Sequence, residues 1–167
     1  MTNLADRYTA ARDIASNAGA MAMSYFSKLD QLIVDVKGHQ DFVSEADRNV
    51  ELAVRAALAK AFPEDGIVGE EGAPTSGSSG YTWVIDPIDG TTNFVNGIPQ
   101  WCVIIACVHN GQTVIGVVHD PVHDEMHHAV AGGGAFCNDR PIRCSAKPSL
   151  REGSLGIGFS GRTHIEG

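Results

Sequence analysis

A chain of 167 residues, 43% apolar and with a formal charge of −8, is long enough for one folded domain of ordinary size. No apolar run approaches the roughly 20 residues needed to span a membrane, and net acidity does not suit nonspecific nucleic-acid binding, which rests on Lys and Arg against phosphates. Residues 1–12 lack the apolar core and cleavage site of a signal peptide. The expected location is therefore cytoplasmic, with Cys102, Cys107, Cys137 and Cys144 as reduced thiols packed mostly in the core.

The helices come first. Leu4, Tyr8, Ala11, Ile14, Ala15, Ala18, Ala22 and Tyr25 recur at helical spacing and predict a helix over 3–28, its many alanines suited to close packing on another helix. Residues 32–36 read as a short strand and 37–40 as a loop. A second helix is expected from Ser44 to about Ala61. Ser44 is its N-cap, and Asp47 stands where a capping box usually has Glu or Gln. Val50, Val54, Ala57, Leu58 and Ala61 supply its buried face, and Pro63 follows its end.

From Gly66 the texture changes to strands. A strand over 67–69 leads into Glu70 and Glu71, and 72–80, GAPTSGSSG, is a flexible loop by composition. Strands follow at 81–86, 102–109 and 113–119, the last two joined by Asn110-Gly111, a strong hairpin signal. Further strands are expected near 125–130, 135–137, 142–143 and 154–159. Helices followed by a meander argue for an α+β fold, with two N-terminal helices packed on one face of an antiparallel sheet.

The chemistry concentrates in Trp83-Val84-Ile85-Asp86-Pro87-Ile88-Asp89-Gly90-Thr91-Thr92. An apolar strand ends at Asp86, and Pro87 prevents simple continuation of its ladder. Asp89 can converge with Asp86 on one point, Gly90 permits close backbone approach, and Thr91 and Thr92 open a helical turn able to face an anion. Paired carboxylates beside an anion cradle suit Mg²⁺ with phosphate. Alone, Asp-Pro-x-Asp-Gly is equally good turn chemistry. Glu70-Glu71, Asp41 and Asp47, each at an expected element end, shift the balance toward a site.

These segments resemble the inositol monophosphatase family. Trp83 to Phe94, WVIDPIDGTTNF, is similar to its signature. Gly69-Glu70-Glu71, the stretch from Asp41 to Asp47, Gly116 to Pro121, and Gly133 to Asn138 match as well, in order along nearly the whole chain. The resemblance implies Mg²⁺-dependent hydrolysis of a phosphate monoester by metal-activated water. It implies that Glu70, Asp86, Asp89 and the Ile88 carbonyl are metal ligands, that Gly90 and Thr91 bind the substrate phosphate, and that Glu70, Thr91 and Asp47 are catalytic, the last two bonding the attacking water. Lys37 matches a basic residue close to the metal, and Asp41 a position without a direct chemical role. The implied substrates are inositol monophosphate or a similar polyol or sugar phosphate, with histidinol phosphate, fructose bisphosphate and phosphoadenosine phosphate also open. No residue sits in a nucleophile-elbow setting.

The resemblance further implies a sugar-phosphatase-like layered sandwich, of which 1–167 is the N-terminal domain without the C-terminal α/β layer. That layer supplies a further metal-binding Asp in the family. A homodimer is the expected assembly, with lithium inhibition a trait of the full-length relative. The alternative is a non-catalytic family member acting as a regulatory binding module. His119, His123, His127 and His128 do not read as a zinc site: Pro121 opposes a helix there, and no Cys sits at a zinc-type spacing. They read as turn and strand surface residues. Gly132-Gly133-Gly134 marks a tight turn, and Trp83 and Trp101 read as core.

Overall fold

Asn3 and Ser44 start the two long helices in the same way. The Asp6 amide donates to the Asn3 side chain at 2.9 Å, and the Asn3 amide donates to the Asp6 carboxylate at 3.1 Å. Ser44 and Asp47 form the same reciprocal box, as their spacing predicts. The computed structural model describes residues 3–38 and 41–153, with side chains at all of these except 36–38, 41–43 and 150. Helix α1 is Leu4–Phe26 and α2 is Glu45–Ala61. Among the described residues no helix is long and apolar enough to cross a membrane.

Between the helices, β1 (Val34–Gly38) pairs antiparallel with β2 (Asp41–Ser44). Lys37 and Gly38 thus extend a strand rather than form a loop, while His39 and Gln40 lie outside the described residues. Among the described residues the main sheet has seven strands in sequential order: β3 (Gly66–Gly69), β4 (Tyr81–Asp89), β5 (Cys102–His109), β6 (Gln112–Asp120), β7 (Glu125–Val130), β8 (Gly134–Cys137) and β9 (Arg140–Ile142). Every neighbouring pair is antiparallel except β3–β4, which is parallel, so the sheet is mixed at that edge. The strand expected over 154–159 lies outside the described residues.

Two local differences from the sequence pattern have clear causes. Strand β4 runs past Asp86 to Asp89, but its register with β5 shifts between those residues, where Pro87 has no amide hydrogen to give. Residues 72–80 are tied down despite their composition. Ile67 and Thr75 exchange both backbone hydrogen bonds, at 2.9 and 2.8 Å, and the Ser78 and Ser79 amides donate to the Glu64 carbonyl.

Both helices pack on one sheet face. Ala11, Ala15, Ala22, Val50, Val54 and Leu58 meet Trp83, Ile85, Val103, Ile105, Ile115 and Val117 in one buried cluster. Each fully buried Val, Leu or Ile contributes about 1.5–3 kcal/mol. The two-residue alternation of the strands sends Val84 and Val118 to the opposite face, where they and Val68 are exposed.

A buried ion pair joins α1 to the sheet. Arg7 Nε and Nη2 donate to Asp65 Oδ2 and Oδ1 at 2.9 and 2.7 Å. The same carboxylate accepts from Ser79 Oγ at 2.6 Å and Trp83 Nε1 at 3.0 Å. The guanidinium lies over the Tyr81 ring, 3.9 Å from its centroid, with Phe62 also in range. Burial pushes the Asp65 carboxyl up, but the bonds from Arg7, Ser79 and Trp83 outweigh it and hold its pKa below the usual carboxylate range. Its contribution is therefore present above the ordinary Asp pKa and is lost as pH falls through the lowered value. Arg7→Ala leaves this charge buried and is expected to cost about 3–5 kcal/mol in urea unfolding at neutral pH. A cost below about 1 kcal/mol, the range of an exposed pair, would contradict this.

Candidate metal centre

The turn after β4 sets the geometry. Gly90 has φ 96°, in the left-handed region, and caps helix α3 (Thr91–Val95). A Cβ there would also lie 3.0 Å from the Gln100 carbonyl oxygen. The turn brings the Thr91 hydroxyl back to 3.0 Å from the Ile88 carbonyl oxygen and 3.1 Å from Asp47 Oδ1. Asp47 is buried, and its Oδ2 accepts from the Ser44 amide at 2.8 Å and the Ser44 hydroxyl at 2.5 Å. The capping box of α2 therefore also fixes the carboxylate that meets Thr91.

Asp86 sits in a crowd of like charge. Burial, then Glu70, then Asp89 push its carboxyl up to about 7, with Asp47 adding to the rise and a bond from the Ile88 amide opposing it. Its Oδ1 is buried without a hydrogen-bond donor among the described residues. A buried carboxylate oxygen without a donor, in the field of three other acids, is costly unless it is protonated or faces a cation. The donor set is all oxygen: Glu70, Asp86 and Asp89, with the Ile88 carbonyl on the same turn. Such a set fits Mg²⁺.

The loop that follows Glu70 is gripped by Glu51, a residue that the sequence pattern does not single out. The buried Glu51 carboxylate accepts from the Glu71 and Gly72 amides at 2.8 and 2.7 Å and from Arg55 Nε at 2.7 Å. Arg55 Nη2 in turn donates to the Gly72 carbonyl at 3.0 Å. The loop comes so close that a Cβ on Gly69 would lie 2.5 Å from Glu51 Oε1. A signal is present: Glu51 is one helical turn from Asp47 and lies in the same stripe as Val50, Val54 and Leu58. The backbones of Lys37 and Asp41 lie in β1 and β2, and their side chains are outside those described.

Beside the acids opens a cleft of about 550 Å³, lined in part by Asp89, Gly90, Cys102, Asp120, His123 and His127. The Cys102 Sγ lies 3.8 Å from Asp89 Oδ2. Burial first, and then Asp89, push its thiol up to about 12, so it stays protonated and is no nucleophile at neutral pH. Of the four free cysteines only Cys107 and Cys137 are buried; Cys102 is half-buried and Cys144 exposed, fewer in the core than expected.

His119 and His128 are not surface residues either. His119 Nδ1 donates to the Ala15 carbonyl at 3.0 Å, and His128 Nε2 donates to the Asn138 carbonyl at 2.8 Å, which leaves its Nδ1 to accept from the Tyr8 hydroxyl. Both are buried against α1.

The sequence matches the profile of the inositol monophosphatase family over residues 3–166. The chain belongs to this family. It is 42% identical over 142 residues to an inositol-1-monophosphatase of Rhizobium meliloti, a match covering 84% of this chain and 53% of the relative. It is 44% identical over 148 residues to the Nus factor SuhB of Pseudomonas aeruginosa, covering 87% and 55%. The crystal structure of the extragenic suppressor protein suhB from Bartonella henselae superposes with a TM-score of 0.82 at 39% identity, over 85% of this chain and 55% of that one. The chain thus spans about half the length of the relatives it matches.

Asp86 generates a pH prediction. Its folded-state pKa of about 7 is above the ordinary Asp value, so its stabilising effect is fully present below pH ~4 and is lost as pH rises through about 7. Asp86→Asn removes the charge and is expected to raise the melting temperature of the metal-free chain at pH 8 by several degrees, with a smaller rise at pH 5 and little effect below pH ~4. Mg²⁺ should raise the melting temperature of the parent chain at pH 8 and leave that of the variant unmoved. A variant that melts lower at pH 8, or responds equally to Mg²⁺, would contradict the assignment.

Proposed function

We propose that the protein hydrolyses a small phosphate monoester with Mg²⁺, and that Glu70, Asp86, Asp89 and the Ile88 carbonyl would hold the cation. The observation that carries this reading is the buried Asp86 oxygen without a donor, surrounded by Glu70, Asp89 and Asp47. Family membership supports the phosphatase class. When bound, the cation lowers the pKa of a coordinated water and neutralises phosphoryl oxygens.

The chain's own residues supply the proton path. Thr91 Oγ1 donates to Asp47 Oδ1 and keeps a lone pair for a proton of the attacking water. As water attacks phosphorus, that proton passes to Thr91 Oγ1 while the hydroxyl proton passes to Asp47 Oδ1. Ser44 holds Asp47 in the orientation this requires. The amides of the Gly90–Thr92 turn orient the phosphoryl group, and the P–O bond to the ester oxygen breaks as the new P–O bond forms. The ester oxygen leaves toward the cleft beside Asp89 and takes a proton from solvent water there, while Asp47 returns its proton to solvent, so the products are an alcohol and inorganic phosphate. Lys37 remains a candidate basic neighbour of the site.

The substrate class is a polyol or sugar phosphate, with inositol monophosphate favoured by the name of the Rhizobium relative. The name Nus factor, carried by the Pseudomonas relative, supports a second reading in which the chain is a regulatory binding module. The exposed Val68, Val84 and Val118 offer a face for such a partner or for a second copy. Because relatives are about twice as long, the full rate is proposed for a protein that includes the C-terminal layer.

Phosphate release from a series of sugar and polyol phosphates, with and without Mg²⁺, separates the two readings. The enzymatic reading expects Mg²⁺-dependent release that falls about 10²–10³-fold in Thr91→Val or Asp47→Asn, with the melting temperature shifted less in the Thr91 variant. Metal-independent release, or rates unchanged in both variants, would overturn it.

A further inference from the structure

Three side chains outside the carboxylate centre converge on the open face of the sheet. Glu125 and His127 are two residues apart on β7, so strand alternation puts them on one face. The ladder pairs His127 directly with Cys137 on β8. His127 Nε2 lies 3.3 Å from Glu125 Oε2 and 3.9 Å from Cys137 Sγ, and the three ligand atoms all lie within 4.8 Å of one another. We propose that Glu125, His127 and Cys137 form a second cation site, built for a borderline-soft divalent ion such as Zn²⁺.

The distances fit the ion. Zn–N near 2.0 Å, Zn–O near 2.1 Å and Zn–S near 2.3 Å put tetrahedral ligand atoms about 3.4–3.6 Å apart. The His127 contacts already bracket that spacing, and only the exposed Glu125 side chain must turn to complete it. Cys137 is 5% exposed, so its sulfur is held in place by packing. The His127 and Glu125 side chains are 44% and 50% exposed, which leaves the fourth position open to water. One thiolate and one carboxylate balance the charge of a divalent ion, and binding releases the Cys137 thiol proton to solvent.

The donor set also separates this site from the first. Thiolate and imidazole select Zn²⁺ or Co²⁺ over Mg²⁺, whereas the all-oxygen set around Asp86 favours a hard cation. In strand order β7 lies three places from β4, about 14 Å at the usual inter-strand spacing. His127 also lines the cleft that Asp89 borders, so the two sites open on one space. Sequence spacing hides the cluster, because its cysteine arrives across the ladder instead of at a short interval along the chain.

The test is Co²⁺ titration of the reduced 167-residue chain with excess Mg²⁺ present. The expected result is a thiolate-to-cobalt charge-transfer band with tetrahedral visible bands, both bleached by Zn²⁺. Cys137→Ser should abolish the charge-transfer band, while Cys102→Ser and Cys144→Ser should keep it. His127→Ala, an exposed change that spares the fold, should weaken Co²⁺ binding at least about 10-fold and decides the matter if Cys137→Ser does not fold. Absence of the band in the parent chain, its persistence in Cys137→Ser, or unchanged affinity in His127→Ala would overturn the proposal.

Discussion

The burial of Asp86 beside Glu70, Asp89 and Asp47 is the constraint on which the structure turns. Burial most of all, and then Glu70, Asp89 and Asp47, raise the pKa of Asp86. Without a cation the arrangement costs free energy, so the surrounding fold must hold each carboxylate in place. Among the described residues, backbone donors and caps do much of this. Ser44 fixes Asp47, the Ile88 amide bonds Asp86, and Glu51 grips the loop that carries Glu70. Asp86 Oδ1, left without a donor among the described residues, is the oxygen that the proposed hard cation would take.

The rest of the molecule supports that frame. The Arg7–Asp65 pair clamps α1 against the start of β3 and, through Trp83, against β4, the strand that ends in Asp86 and Asp89. The shift of register after Asp86 and the left-handed Gly90 then turn Thr91 toward the start of α2, where Asp47 lies. Thus a buried ion pair outside the acid cluster holds the strand, and the strand's broken ladder shapes the turn that carries Asp89 and Thr91.

Features that depend on neighbours along the chain are legible in the sequence alone. The two helices, the Ser44–Asp47 cap, the Asn110-Gly111 hairpin and the Asp-Pro-Ile-Asp-Gly-Thr turn each signal themselves within a few residues. What depends on register or long-range contact is not legible there. The parallel β3–β4 pair, the burial of His119 and His128 against α1, and the His127–Cys137 pairing all arise between strands or layers. The loop over 72–80 misleads by composition, since its order comes from hydrogen bonds to Ile67 and Glu64. Glu51 falls between these cases: its place in an apolar stripe is visible, but its partners at Glu71 and Gly72 are not.

The acids around Asp86 are proposed to form a hard-cation centre. The most direct measurement is a crystal of the chain soaked in Mn²⁺, with anomalous scattering used to place the ion. The expected result is a peak about 2.1 Å from carboxylate oxygens of Glu70 and Asp86, with Asp86 Oδ1 as one of its contacts. A well-ordered crystal with no peak there, and with Asp86 Oδ1 instead bonded to a protein donor, would contradict it.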